Sequence, residues 1–284
     1  MVITSNRTID PAGVADHYDE LDLFYREIWG EHLHHGLWLT GSEDPEAAVV
    51  QLVRLVAQKA RISEGTRVCD IGCGYGAAAR LVVRERNASV TAVTISARQH
   101  SYAKNVDPSG NPNYLRADWS VKEPLPELLP DSFDAAFAIE SSEHMSDKVQ
   151  FFSRTLDILR SGGRLVVCSW LAAEVPSNWQ RSWLLEPICR EGRMPNLLNA
   201  GELVNAARRA GFTEIDRKEL SSQVSPTWSI VLARFGQRLV FDSRYRSFLL
   251  DRRHRNRIFG VTLLRIWLAY KTRAMKYAIF TFAK

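Results

Sequence analysis

"CDIGCGYG", Cys69–Gly76, places glycines at 72, 74 and 76, directly after the apolar run of "TRVCDIG". Glycine adopts left-handed backbone conformations freely and leaves room beside the main chain. Three of them at every second position mark a loop that some group approaches closely. "AAARLVVRER" then reads as a helix. A strand, a glycine loop and a helix together offer backbone N–H groups and a helix N-terminus to a ligand.

The alternation continues outward from this loop. "ASVTAVTI" reads as a second strand and "SARQHSYAKNV" as a helix capped by Ser96. "NYLRAD" and "FDAAFAIE" read as the third and fourth strands, and "DKVQFFSRTLDIL" as a helix. "SGGRLVVCSW" turns into a fifth strand; "AGELVNAARRAGF" is a helix and "TEIDRKEL" a strand. Strands alternating with helices at Gly and Asp turns predict an α/β fold, a mostly parallel sheet covered on both faces. Before it, Pro45 to Ala60 reads as an amphipathic helix with Asp44 as its cap. Residues 1–17 are polar and read as loose, and "HYDELDLFYREIWGEHLHHGLW", His17–Trp38, is rich in aromatics. Glu174–Pro195 and Pro226–Lys276 break the alternation, and "YAIFTFAK" returns to strand character. The expected division is a helical lid segment over 1–60, a sheet core over 61–225, a helical cap over 226–276 and a final strand over 277–284.

Bulk properties exclude several classes. The chain has 284 residues, 45% of them hydrophobic, enough for one large buried core with a cap. No run of about 18 apolar residues spans a membrane, and "MVITSNRTID" lacks the apolar core of a signal peptide. Cys69, Cys73, Cys168 and Cys189 have no metal-binding spacing and read as reduced thiols, which favours the cytoplasm. The net charge of +5 is modest, so its placement matters more than its size.

The loop alone admits several ligands. A P-loop is excluded, because no Gly-Lys-Ser/Thr follows. A dinucleotide site wants G-x-G-x-x-G and an acid about 20 residues on; here Ala77 stands at the last position. S-adenosylmethionine carries no phosphate but has a ribose, an adenine and a charged amino-acid tail, and Asp70 at the head of the loop suits its ammonium. A glycine turn without ligand also satisfies these eight residues.

Downstream motifs narrow the choice. "RADW" follows the third strand and "AIESSEHMSDK" the fourth. With D-x-G-x-G-x-G and "LRSGGRLVV", they resemble the ordered motifs of class I S-adenosylmethionine-dependent methyltransferases over roughly residues 60–170. "VTAVTISARQ", "ESSEHMSDK", "ICREGRMPNLLNAGELVNAARRAGF" and "YKTRAMKYAIFTFAK" are similar to the tocopherol methyltransferase-like subfamily, relatives of the cyclopropane and mycolic-acid synthases. The resemblance implies a Rossmann-like, mostly parallel seven-stranded sheet with a helical cap before its last strand. It implies S-adenosylmethionine as cofactor, S-adenosylhomocysteine as product, and methyl transfer to a small apolar or aromatic acceptor such as a phenol. Amine N-methylation, prenyl C-methylation and cyclopropanation stay open, as does a noncatalytic cofactor-binding protein.

Residue roles follow from motif and resemblance. Gly72, Gly74 and Gly76 would let the cofactor's methionine portion lie against backbone, with Asp70 near its ammonium. The second strand ends in Thr94-Ile95-Ser96 rather than an acid, with Gln99 following. Neutral donors there can still bind a ribose, and the missing acid counts against a nicotinamide cofactor. Asp118 would accept from the adenine amino group and Trp119 would lie beside the ring. Glu140, Glu143 and His144 follow the fourth strand, where ligands collect in open α/β sheets. His144 is the candidate general base, because its ordinary pKa lies near neutrality; positioning is its other reading. The resemblance aligns Glu143 with an acid that holds bicarbonate in cyclopropane synthases, and no bicarbonate is expected here. "HHGLW" is similar to a lid segment in which His35 and Gly36 approach the cofactor; a metal at His32, His34 and His35 is not expected. Tyr18 and Trp38 would line the methyl channel, and Trp170, Trp179 and Trp183 the acceptor pocket.

The arginine-rich cap from Arg244 to Lys276 has two readings, a solvated basic face or a surface meeting anionic lipid. No nucleic-acid motif accompanies the charge.

Overall fold

The structure is a computed structural model that describes residues 2–5, 8–121, 123 and 125–284. Its first element is β1 (Ile3–Thr4), a short strand whose Ile3 is fully buried. Helix α1 (Pro11–Ile28) follows, with the Asp10 carboxylate accepting from the Gly13 N–H at 2.7 Å and Pro11 in the first turn. This corrects the expectation of a loose start. Asp-Pro is a helix-start signature, and Val14, His17, Leu21, Phe24 and Ile28 recur at helical spacing and are buried. Asp44 caps α2 (Pro45–Lys59) as expected.

The sheet core then runs β2 (Arg67–Ile71), α3 (Ala77–Arg86), β3 (Ser89–Thr94), α4 (Ala97–Val106), β4 (Asn113–Arg116), β5 (Phe133–Ile139), α5 (Lys148–Ile158) and β6 (Leu159–Ala172). The Ser96 hydroxyl caps α4 by accepting from the Gln99 N–H at 3.1 Å. Past β6, α6 (Asn178–Gln180) continues through a π-helical turn at Arg181–Leu185 into α7 (Glu186–Glu191). Strand β7 (Asn196–Leu197) pairs antiparallel with β1, Ile3 opposite Leu197. Then come α8 (Ala200–Arg209), β8 (Thr213–Glu219), α9 (Ser221–Val224), α10 (Pro226–Phe241), α11 (Ser243–Leu250), α12 (Phe259–Lys271) and β9 (Met275–Ala283).

Seven strands form one sheet in the order β4-β3-β2-β5-β6-β9-β8. The pairs from β4 to β6 are parallel, and β9 lies antiparallel between β6 and β8. This is the Rossmann-like, mostly parallel seven-stranded sheet that the alternation predicts. Residues such as Phe152, Leu203 and Phe282 fill the layer on one face. On the other, Leu52, Phe137 and Tyr277 join the apolar faces of α10 and α12 in a single core. The last strand begins two residues before the boundary expected at 277.

Helix α1 joins the sheet to the cap. On one side Asp22 accepts from the Tyr75 hydroxyl at 2.7 Å, and Asp19 accepts from the Ser96 hydroxyl. On the other, Phe24 packs on Tyr245 and Phe248 with centroids 4.8 and 4.5 Å away.

Candidate active site

The three glycines of the loop all have positive φ, +82° at Gly72, +55° at Gly74 and +77° at Gly76. Their surroundings differ. A Cβ on Gly72 would lie 2.2 Å from the Ser141 Cβ, and one on Gly76 2.5 Å from the Tyr114 ring, whereas one on Gly74 would meet nothing within 4 Å. The expectation that all three make room for a ligand is corrected accordingly. Gly76 packs against Tyr114 and does not line the cavity; Gly72 lines it but owes its missing side chain to Ser141.

The cavity beside the loop measures about 950 Å³ and lies at the carboxyl ends of β2, β3, β4 and β5. Asp70, Thr94, Ile95, Gln99, Asp118 and Trp119 line it together, as their motifs predict. Asp70 Oδ2 is buried with no hydrogen-bond partner, and burial raises its pKa well above the ordinary carboxylate range. The Trp119 indole N–H is also buried and unpartnered. Buried polar atoms are normally paired, so two orphans lining one cavity call for a ligand with a cationic donor and an acceptor. The Thr94 hydroxyl donates to Gln99 Oε1 at 2.9 Å. Asp118 Oδ1 accepts from the Ser120 N–H and hydroxyl at 2.8 and 2.6 Å. The Arg154 guanidinium lies 5.2 Å from the Trp119 ring centroid.

A second cavity of about 890 Å³ lies under the cap, lined mainly by apolar and aromatic side chains including Trp29, Met194, Trp228, Phe259, Leu263 and Ile266. Tyr18, Leu33, Glu140 and His144 line both cavities and form their shared wall. The His144 Nδ1–H donates to the Arg193 carbonyl at 3.0 Å, so Nε2 is left unprotonated and accepts from the Tyr18 hydroxyl at 2.9 Å. Burial lowers the His144 pKa to about 4, so the ring is neutral at pH 7.

Glu140 has a left-handed φ of +56°, a strained conformation for this residue type. Its carboxylate accepts from the His35 N–H and Nδ1–H at 2.9 Å each, and from the Trp170 indole and Tyr277 hydroxyl at 2.7 Å each. Burial acts to raise its pKa, and the His35 donors outweigh it, holding the group well below the usual carboxylate range. The Trp228 indole donates to His35 Nε2 at 2.7 Å. Glu143 accepts from the Trp170 N–H at 2.5 Å, and burial pushes its pKa up to about 7.

Several expectations fail on geometry. His35 lines the second cavity, fully bonded to Glu140 and Trp228, rather than the first. Gly36 and Trp38 line neither: a Cβ on Gly36 would strike Trp38 and Ala48, because that turn is packed into the core. Their neighbours His32 and His34 line the first cavity instead. Trp179 and Trp183 are 51% and 73% exposed on the outer surface and line neither cavity, because the π-helical segment buries Leu184 and Leu185 instead. Trp170 does line the second cavity. Sequence reasoning missed Val14, His17 and Tyr25, although positions 14, 18 and 25 fall on one helical face once α1 is recognised.

Comparison with known proteins agrees with this architecture. The family model for mycolic acid cyclopropane synthetase matches residues 5–241. The chain is 27% identical over 245 residues to the chloroplastic tocopherol O-methyltransferase of Arabidopsis thaliana, covering 78% of this chain and 68% of that one. It is 28% identical over 232 residues to 27-O-demethylrifamycin SV methyltransferase of Amycolatopsis mediterranei, covering 79% and 82%. The mycolic acid cyclopropane synthase CmaA1, crystallised with SAH and CTAB, superposes with a TM-score of 0.83 at 18% identity, over 99% of this chain and 100% of that one.

Proposed function

The chain belongs to the mycolic acid cyclopropane synthetase family of S-adenosylmethionine-dependent methyltransferases, and on that premise we propose that it methylates a hydroxyl group of an apolar, aromatic acceptor. The observation that carries this reading is the contact of two cavities at one neutral His–Tyr pair. The cavity at the glycine loop fits the cofactor: Asp70 would take its ammonium, Gly74 would admit its tail, Thr94 and Gln99 would face its ribose, and Asp118 and Trp119 its adenine. Bound there, the cofactor supplies a methyl group on a sulfonium. The second cavity, largely apolar with few polar groups, has the character of a small-molecule pocket.

The protein's work at the junction is alignment and proton removal. Tyr18 and His144 would hold the acceptor hydroxyl where the cavities meet, which supplies proximity. Nε2 of His144, free of a proton, would take the acceptor's proton directly or through the Tyr18 hydroxyl. The ionised Glu140 would offset positive charge appearing on the imidazole. Glu143, hydrogen-bonded to the Trp170 N–H, would hold the strand end on which the second cavity's wall rests.

His144→Ala tests the assignment with labelled S-adenosylmethionine and a panel of phenols. Turnover is expected to fall ~10²–10⁴-fold with S-adenosylhomocysteine affinity unchanged. Retained turnover with weakened cofactor binding would make His144 a clamp instead.

We propose also that the mouth of the second cavity meets anionic lipid. Ile258 lines that cavity and is 39% exposed. Val261, Leu264 and Leu268 continue an exposed apolar stripe along α12, beside the segment that bears Trp183. Arg252, Arg255 and Arg257 are exposed next to Ile258, with no acidic partner among the described residues. An apolar stripe bordered by free guanidinium groups suits the interface of an anionic bilayer.

A further inference from the structure

The second cavity contains another His–Tyr pair that the reaction above does not use. His17 Nε2 lies 2.9 Å from the Tyr25 hydroxyl, and His17 Nδ1 lies 2.9 Å from Asn256 Oδ1. Asn256 Nδ2 donates in turn to Glu20 Oε2. His17, Tyr25 and Asn256 all line the cavity; His17 and Asn256 are buried, and Tyr25 is partly accessible.

The direction of every hydrogen bond in this chain follows from its far end. A carboxylate only accepts, so the Asn256 amide N–H faces Glu20 and its oxygen faces His17. His17 must then donate from Nδ1, and Nε2 must accept from the Tyr25 O–H. The Tyr25 oxygen is left with lone pairs and no proton to give. Tyr18 stands in the same state, because its proton is committed to His144. The two tyrosine rings are neighbours, with centroids 5.6 Å apart at an interplanar angle of 33°. Each offers an acceptor and neither offers a donor.

We infer that Tyr25, held by His17 and Asn256, is a second polar subsite that binds a hydroxyl of the acceptor other than the one methylated, so that the preferred acceptor is an apolar aromatic with two O–H groups. The inference rests on the reading of this cavity as the acceptor cavity. A purely structural role would require only the His17–Asn256 link, which ties α1 to the loop before α12. The Tyr25 hydroxyl also satisfies His17 Nε2, but its own lone pairs, which no hydrogen bond among the described residues uses, are what a second acceptor hydroxyl would meet.

The test uses the full chain loaded with S-adenosylhomocysteine and two probes, dodecylhydroquinone kept under nitrogen and dodecylphenol. Binding is read by quenching of tryptophan fluorescence, since Trp29, Trp170 and Trp228 line the cavity. The wild type is expected to bind the hydroquinone ~10-fold more tightly, the worth of one good hydrogen bond. Tyr25→Phe is expected to erase that preference by weakening the hydroquinone alone, with cofactor affinity held and a modest drop in melting temperature as His17 Nε2 loses its donor. Equal binding of both probes by the wild type, an undiminished preference in Tyr25→Phe, or binding of neither probe overturns the subsite. A binding preference without methyl transfer to either probe overturns the proposed reaction and leaves the subsite standing.

Discussion

Gly72 and Gly74 share a backbone conformation and differ in what their missing side chains spare. Gly72→Ala would drive a methyl group into Ser141, 2.2 Å away, and is expected to cost roughly 1–3 kcal/mol from overpacking, with left-handed strain in addition. Gly74→Ala carries the backbone strain alone, and its methyl would enter the first cavity. Thermal melts should therefore separate the pair, with Gly72→Ala melting lower, while S-adenosylhomocysteine affinity should fall in Gly74→Ala even where the fold survives. At this scale the sequence was readable wherever a motif is local. Asp70, Thr94, Asp118 and Trp119 stand at or just past strand ends, with Gln99 in the helical turn that follows Thr94, and strand ends converge in this topology. The tryptophans were not readable in the same way. An indole signals burial or an interface without saying which: Trp170 lines the second cavity, Trp38 lies in the core and Trp183 faces solvent.

The elements around the site concentrate histidines that burial keeps neutral. His17 and His144 have pKa values lowered to about 4 and His32 to about 3, all through burial, and His34 shifts in the same direction. In the unfolded chain these groups protonate near 6.5. Between pH 6.5 and 4 the unfolded state therefore binds more protons, and stability falls as pH falls. Glu143 acts oppositely: raised by burial to about 7, it holds a proton in the folded state that the unfolded state has released, so its contribution fades as pH rises from about 4.5 to 7. Asp70, raised in the same way by burial, acts with Glu143; four histidines outweigh two carboxyls, so the urea midpoint is expected to drop from pH 7 to pH 5, and less steeply in His17→Gln. An unchanged slope in that variant would show that His17 titrates normally. Helix α1, which carries His17, is the element that sequence reading handled worst. Its Asp-Pro start lies within a polar stretch, and only the spacing from Val14 to Ile28 reveals the buried face.

Across the whole molecule, the sheet order follows from alternation, whereas the second cavity depends on contacts far apart in the chain. His35 and Trp228, 193 residues apart, form one wall of it, and no local pattern announces such a pairing. The charge of the cap becomes interpretable only once its neighbours are placed. Arg244 and Arg253 are paired with Asp242 and Asp251, whereas Arg252, Arg255 and Arg257 are exposed in the segment leading to Ile258. Flotation with phosphatidylglycerol vesicles should carry the protein upward at low salt and release it as salt rises. Replacing those three arginines with glutamate should abolish flotation without changing cofactor affinity. Salt-independent flotation, or none, would sink the lipid reading.

Helix α1 walls both cavities, with Val14 facing the first, Tyr25 the second and Tyr18 both. Two ligands that both rest on this one helix draw on the same ordering of it. Any ordering of α1 that the first ligand brings about is already complete when the second arrives. The tightening that cofactor confers on acceptor must then equal, as a factor, the tightening that acceptor confers on cofactor.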